Sequence, residues 1–395
     1  MARLSYFGRF GAVVIGATFA VSHQAHAQAP AANDSGVAEP PAEEMRWAPS
    51  NTFAPGVWPT TLPWKNTFFY VENSTTTQTV GVGTSYQSRN PFYEITLGLR
   101  PRYYLIDKST MELSLRADVG LSSERTNSDT TTERGEWTAT DFELSASFAT
   151  DLRRSKFDST EIEVRLPRVI LPTSKVSYDS GKILGLGARV LLAEDVLIAG
   201  RGADWLPNIE FGLRAEYGYQ FTRAKVPTNS SLERIRLDPD GQSIVSDQLG
   251  GATFAAQSAL IGGFASLYIH QAFEWSTLLD IRPAWHYPVE RNTQICGVVL
   301  TGCTTASGID SPQTRSALTS FTSDFLLQVS DSIGVSVGYT NLSEQIGPDG
   351  RRRSVFYSPD ARFYAQVNVG LDQLYGAATH RPKPHVAARS EPRRF

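Results

Sequence analysis

Residues 273–287 read FEWSTLLDIRPAWHY. The odd positions are Phe273, Trp275, Thr277, Leu279, Ile281, Pro283, Trp285 and Tyr287. The even ones are Glu274, Ser276, Leu278, Asp280, Arg282, Ala284 and His286. Side chains alternate across an extended strand, so one face is apolar with rings at both ends and the other carries both signs of charge. The buried face of a soluble sheet rarely needs large aromatics bracketing an aliphatic middle. A face turned to lipid does, because amphipathic rings settle at the two membrane–water interfaces. The stretch therefore predicts a membrane-spanning strand. Phe273 and Trp275 would sit in the periplasmic aromatic girdle and Trp285 and Tyr287 in the exterior one. Glu274, Asp280, Arg282 and His286 would point inward.

The same period recurs along the chain. Tyr93, Ile95, Leu97, Leu99, Pro101, Tyr103 and Leu105 oppose Glu94, Thr96, Gly98, Arg100 and Arg102. Met111, Leu113, Leu115, Ala117, Val119 and Leu121 alternate with Glu112, Ser114, Arg116, Asp118 and Gly120. Further strands are expected over 141–148, 160–171, 184–192, 209–221, 260–269, 321–329, 333–339 and 361–375. Either 67–73 or 79–86 supplies the first strand; both are strand-like. Short links near Asp107, Asp151, Ala193, His270 and Ser330 alternate with long polar ones near Thr126, near Thr173 and over 224–256, 288–317 and 341–356. Short turns on one side and long loops on the other are what a barrel in an outer membrane shows. The expected fold is all-β, a transmembrane antiparallel up-and-down barrel of about twelve strands, with about ten or fourteen as the neighbouring even counts.

The flanks read differently. Residues 1–27 have Arg3 and Arg9, then an apolar core over 10–21, then Ala25-His26-Ala27, which is the form of a cleaved secretory signal peptide. Residues 28–65 are rich in Ala and Pro without apolar periodicity, hence a periplasmic linker, with Trp47, Trp58 and Trp64 expected to pack near the barrel's lower rim. The barrel is assigned to 66–376 and a basic, Pro-containing periplasmic tail to 377–395, where disorder competes with an electrostatic contact to an anionic envelope polymer. A net charge of −3 over 395 residues gives no pull toward nucleic acid. Cys296 and Cys303 lie in a Gly/Thr-rich loop of an exported chain, so a disulfide is expected. Two thiolates with no nearby histidine make a poor zinc site, and neither metal nor cofactor is expected.

The chain resembles bacterial outer-membrane β-barrel proteins as an architectural class, over roughly 79–375. Its last strand, ARFYAQVNVGLDQLY over 361–375, is similar to their assembly signal, with Gly370 inside and Tyr375 at the apolar end. Gln373 departs from the apolar residue usual there, and a tail follows where such strands normally end. The resemblance implies a Gram-negative outer membrane, the outer-membrane assembly machinery and the lipid bilayer as partners.

Function would have to reside on the inward face. Its basic residues are nearly all arginine, and isolated burial of charge is costly, so the face is either wetted or cross-paired. The lumen-lining candidates are Arg100, Arg102, Arg116, Asp118, Arg165, Arg214, Glu216, Asp280, Arg282, His286 and Arg362, with Arg189 among the same arginines. The expectation is a porin-like transport barrel, a narrow pore or binding barrel for small polar solutes, anionic ones included. A closed structural or envelope-anchoring barrel is the alternative, and an outer-membrane hydrolase centred on His286 is the third reading. No catalytic set is assigned; His286 has no serine partner evident in the sequence. Arg351-Arg352-Arg353 is equally a solvated loop or a grip on lipopolysaccharide phosphates.

Overall fold

In the computed structural model the described residues are 62–77, 92–126 except 109, 135–198 except 156–157, 205–225 except 224, 254–288 except 271, 315–344 and 352–379 except 359–360. To these are added the short strands at 235–237, 243–245, 294–296 and 303–305, described by backbone only. The expected signal peptide over 1–27, the 28–61 portion of the expected 28–65 linker, the alternative first strand at 79–86, Arg351 and the tail beyond 379 lie outside them.

Twelve wall strands form one antiparallel sheet that closes on itself. In chain order the strands are β1 (Phe68–Thr76), β2 (Tyr93–Arg100), β3 (Arg102–Lys108), β4 (Met111–Glu124), β5 (Trp137–Ala139), β6 (Phe142–Arg154), β7 (Asp158–Leu171), β8 (Lys182–Leu197) and β9 (Trp205–Thr222). There follow β10 (Ile235–Leu237), β11 (Ser243–Val245), β12 (Ala255–His270), β13 (Phe273–His286), β14 (Gln294–Cys296), β15 (Cys303–Thr305), β16 (Arg315–Ser330), β17 (Ile333–Glu344) and β18 (Arg362–Gly370). Segments β2 and β3 are one wall strand interrupted at Pro101, and β5 leads into β6; both halves of each pair bond to β4. Pro101 has no N–H for the ladder, but its carbonyl still accepts from the Ala117 amide at 3.0 Å. The hairpins β10–β11 and β14–β15 stand apart from the wall.

The seam is β1 against β18, in register from Phe68 opposite Gly370 to Thr76 opposite Arg362. The first strand is thus Phe68–Thr76, one of the two expected candidates. Tight connections after β3, β6, β12 and β16 gather at one end, and the long ones, with both extra hairpins, at the other. The last strand departs from expectation. It ends at Gly370 and the chain turns into helix α2 (Leu371–Ala378) rather than staying extended to Tyr375. The rim explains the change: Leu371 donates to Thr67 O at 2.9 Å, and Asp372, almost fully buried, accepts from the Asn66 amide at 3.2 Å. Continuing extended would forfeit both. Tyr375 also meets Trp64 edge-on at 5.6 Å, which places Trp64 at the lower rim as its composition suggested.

Polarity is inverted relative to a soluble protein. Leu213, Ile261, Leu166 and Tyr103 are exposed on the outside, while Glu210, Arg214, Asp280 and Glu163 are buried within. Lipid is the solvent in which that outer surface costs nothing. Outside the wall, helix α1 (Lys175–Ser180) opens on Ser174, whose hydroxyl accepts from Ser177 N at 3.1 Å, and closes on Gly181 at φ 93°, a left-handed residue.

The candidate functional site: the barrel interior

Alternation places every second side chain of the wall inside, and pairing then sets which charges meet. On β9, β12 and β13 one ladder row reads Arg214, Gly262, Asp280. Arg214 grips Asp280 with two hydrogen bonds, Nε to Oδ1 at 2.9 Å and Nη2 to Oδ2. Ser320 adds a third bond to Asp280 Oδ2 at 3.0 Å, and Arg282 approaches the same oxygen at 3.7 Å while donating to Ser320 at 3.2 Å. The pair lies across Gly262 because a Cβ there would stand 1.9 Å from Asp280 Oδ1.

A second network runs over β6, β7, β8 and β9. Arg168 holds Glu143 through two bonds of 2.8 Å and reaches Glu216 at 3.3 Å, where Arg189 also arrives at 3.3 Å. A third joins β3, β4, β6 and β7. Arg116 and Arg165 share Glu163 Oε1 at 3.0 and 2.7 Å, and Ser147 donates to that oxygen at 2.7 Å. Arg102 reaches Glu112 at 3.5 Å and Ser114 at 3.2 Å, with its guanidinium 4.5 Å from the Tyr104 ring centre. Arg100 pairs with Asp118 and lies over Tyr70 at 4.8 Å. Arg362 sits 4.0 Å from the Phe92 ring centre. Charge-assisted pairs of this kind let ionised groups stand on an enclosed wall without the full desolvation cost.

The networks differ in access to water. The side chains of Arg214 and Asp280 are 1% and 0% exposed. Asp118 is 36% exposed, Glu143 25% and Arg168 24%, so that side of the interior is partly open to solvent. Leu191 stands in the Arg214 row, and the next inward row, Ala193, Phe264 and Leu278, is apolar and separates it from Glu210 and Tyr268, which are hydrogen-bonded at 3.0 Å.

All of the sequence candidates among the described residues can be located. Arg102, Arg116, Arg214, Asp280 and Arg362 are buried; Arg100, Asp118, Arg165, Glu216, Arg282 and His286 are half-buried. His286 has its Nε2 2.8 Å from Ser316 Oγ on β16, a serine that was not evident as its partner in the sequence. Trp275 is exposed on the outside and donates to Ser323 at 3.0 Å, while Phe273 stacks on Phe325 at 5.8 Å. Trp285 is half-buried, and Tyr287 bonds Gln220 O at 2.6 Å. Cys296 and Cys303 are directly opposite in the β14–β15 backbone pairing; their side chains lie outside the described residues.

Arg168 is the residue that strict alternation hides. With Arg165 inward, a period of two puts residue 167 inside and Arg168 in lipid. A register shift between Arg165 and Arg168 absorbs Leu166 and Pro167 on the outside and returns Arg168 to the interior. Pro167 was the available signal, since proline in a sheet marks a bulge or an edge.

A closed, inside-polar barrel whose first wall strand starts and last wall strand finishes beside the short turns is the architecture of outer-membrane β-barrel proteins, and this chain shares that architectural class. No family model matches the chain, and no curated protein matches it. Among solved structures it is similar to an outer-membrane channel from Pseudomonas putida F1, at 10% identity over 82% of this chain and 99% of that one, with a TM-score of 0.47. It is similar to the NanC porin at 10% identity over 76% and 98%, TM-score 0.33. LpxR from Salmonella typhimurium gives 7% identity over 76% and 99%, TM-score 0.34.

Proposed function

We propose that the protein sits in the outer membrane of a Gram-negative bacterium, after removal of residues 1–27, and passes small polar solutes through its interior. The observation that carries this reading is the water-accessible, ion-paired wall of Asp118, Glu143, Arg168 and Glu216. A purely structural barrel needs no ionised groups on a surface that water reaches; a polar pathway does, because they replace the solute's hydration. The finer reading, a preference for anions, is supported by two cross-strand pairs of arginines, Arg102 opposite Arg116 and Arg165 opposite Arg189. Like charges directly opposite repel, and a passing anion relieves that repulsion. Purified protein in a planar bilayer is expected to give discrete conductance steps and, in a salt gradient, a reversal potential of anion-selective sign. Folded protein that inserts yet gives no steps would remove the channel reading in favour of the closed barrel, for which the 0–1% exposure of the Arg214–Asp280 pair speaks.

One contact favours a second reading, an outer-membrane hydrolase: a serine and a histidine within hydrogen-bond distance is half of a nucleophile–base arrangement. It predicts hydrolysis of a lipid or peptide that disappears in His286→Ala. An unchanged rate in that variant sinks it.

A further inference from the structure

The outer face of the wall carries a recess of about 550 Å³ over β8, β9, β12 and β13. Volumes of this size accommodate small-molecule ligands. Its floor is Gly263 and Ala265, and its walls are Leu192, Phe211, Leu213 and Leu279. The walls stand because those side chains are large and outward-pointing; the floor is low because two adjacent outward positions of β12 have almost no side chain. At one end the recess stops being apolar. Glu194 points outward there, in the same ladder row as Phe211, and Thr160 donates to its Oε2 at 2.5 Å. Among the described residues Glu194 has no ion-pair partner. The row lies near the end of β8 at Leu197, on the side of the short turns, where β1 starts at Phe68 and β18 finishes at Gly370.

The geometry points to a phospholipid site in which one acyl chain fills the recess over Gly263 and a headgroup ammonium meets the Glu194 carboxylate. The inference rests on the membrane placement proposed above. Each half of the ligand follows from an observation. The recess opens into the hydrocarbon-facing belt, where the available filler is an acyl chain. A carboxylate at the edge of that belt is costly unless water or a cation meets it, and an ammonium headgroup supplies the cation within the same molecule. The polarity order, carboxylate toward the turn end and apolar recess toward the mid-belt, matches a lipid of the periplasmic leaflet and is the reverse of one in the outer leaflet. A phosphatidylethanolamine has this chemistry; a phosphatidylglycerol shares the chains and lacks the ammonium.

Native mass spectrometry of the full-length protein released from mixed micelles containing equal phosphatidylethanolamine and phosphatidylglycerol reads both halves. The wild type is expected to retain one phospholipid per barrel, enriched in phosphatidylethanolamine. Glu194→Gln keeps the lipid and loses about three- to tenfold of the headgroup preference, the scale of one charge-assisted contact. Gly263→Leu loses the lipid altogether. That variant should fold, because the nearest atoms to a Cβ at Gly263 are Gly212 O at 3.5 Å and Leu213 Cδ2 at 3.7 Å, ordinary contacts. Headgroup preference unchanged in Glu194→Gln, or lipid occupancy unchanged in Gly263→Leu, overturns the site. So does a wild-type dimer that Gly263→Leu dissociates, which would assign the recess to a second copy. A chain that never partitions into vesicles removes the membrane placement itself, whereas one that partitions and retains no lipid removes only this site.

Discussion

Arg214 and Asp280 are bonded to each other across a strand to which neither belongs. The intervening row position on β12 is Gly262, and an added Cβ would lie 1.9 Å from Asp280 Oδ1 and 2.6 Å from Leu279 O, so the ion pair exists because that position is bare. Gly262→Ala is therefore expected to act as an ion-pair mutation although it removes no charge. Asp280→Asn leaves Arg214 buried against an uncharged partner and should cost about 3–5 kcal/mol. Gly262→Ala should fall in the same range, and the double variant should cost little more than either alone. Urea midpoints followed by the heat-dependent gel mobility of the barrel give all three values; additive losses would refute the dependence.

Selectivity should follow the accessible network. Replacing Glu143 and Glu216 together by Gln leaves Arg168 and Arg189 without the carboxylates they contact at 2.8–3.3 Å. The reversal potential in a salt gradient is expected to move toward anions, and the shift should shrink as ionic strength rises and screening shortens. A shift toward cations would show that these residues do not face the permeation path.

The loop cysteines are separable from the wall. Cys296 and Cys303 are opposite in the backbone pairing of a two-stranded hairpin that, among the described residues, no wall strand pairs with. A disulfide there closes a loop of only six intervening residues. Mass spectrometry of alkylated protein is expected to show no free thiol before reduction and two after. Cys296→Ser with Cys303→Ser should leave the barrel's unfolding midpoint within about 0.5 kcal/mol of wild type, as for changes remote from the folded core. A large loss would tie the hairpin to the wall.

Helix α2 should matter for the seam and the residues after it should not. Truncation after Thr379 is expected to leave the unfolding midpoint unchanged. Asp372→Ala, which removes a nearly buried carboxylate bonded to the Asn66 amide, should lower it by about 1–3 kcal/mol. Equal midpoints for wild type and Asp372→Ala would reduce the helix to an ornament of the rim.

Much of this was legible in the residues because a barrel in lipid writes its faces directly into a period of two. The alternation on 273–287 assigns every side chain of β13 to the side on which it is found, and the contrast of short and long links gives the up-and-down topology. What alternation could not carry is anything that breaks or outlives it. Arg168 needed the bulge at Leu166–Pro167, and the end of β18 needed the rim contacts of Leu371 and Asp372, which come from residues some 300 positions earlier. The pairing partners of the interior arginines depend on which rows align across three strands. His286 and Ser316 meet only because Ala284 and Ser316 are opposite in the β13–β16 register. Register is a property of pairs of strands, and a single sequence lists strands one at a time.

The β1–β18 seam has a consequence for how the molecule comes into being. Its two edges are separated by roughly 300 residues, yet closing so long a loop costs little more than closing a short one, since each doubling adds only about 0.6 kcal/mol. The difficulty is order of arrival. Until Arg362–Gly370 is present, Phe68–Thr76 is an open edge with a full row of unpaired amides and carbonyls, and in lipid no water can satisfy them. An incomplete chain is therefore not a smaller barrel but an exposed template for whatever strand reaches it first, and the last nine strand residues decide whether the other eleven strands become a membrane protein or an aggregate.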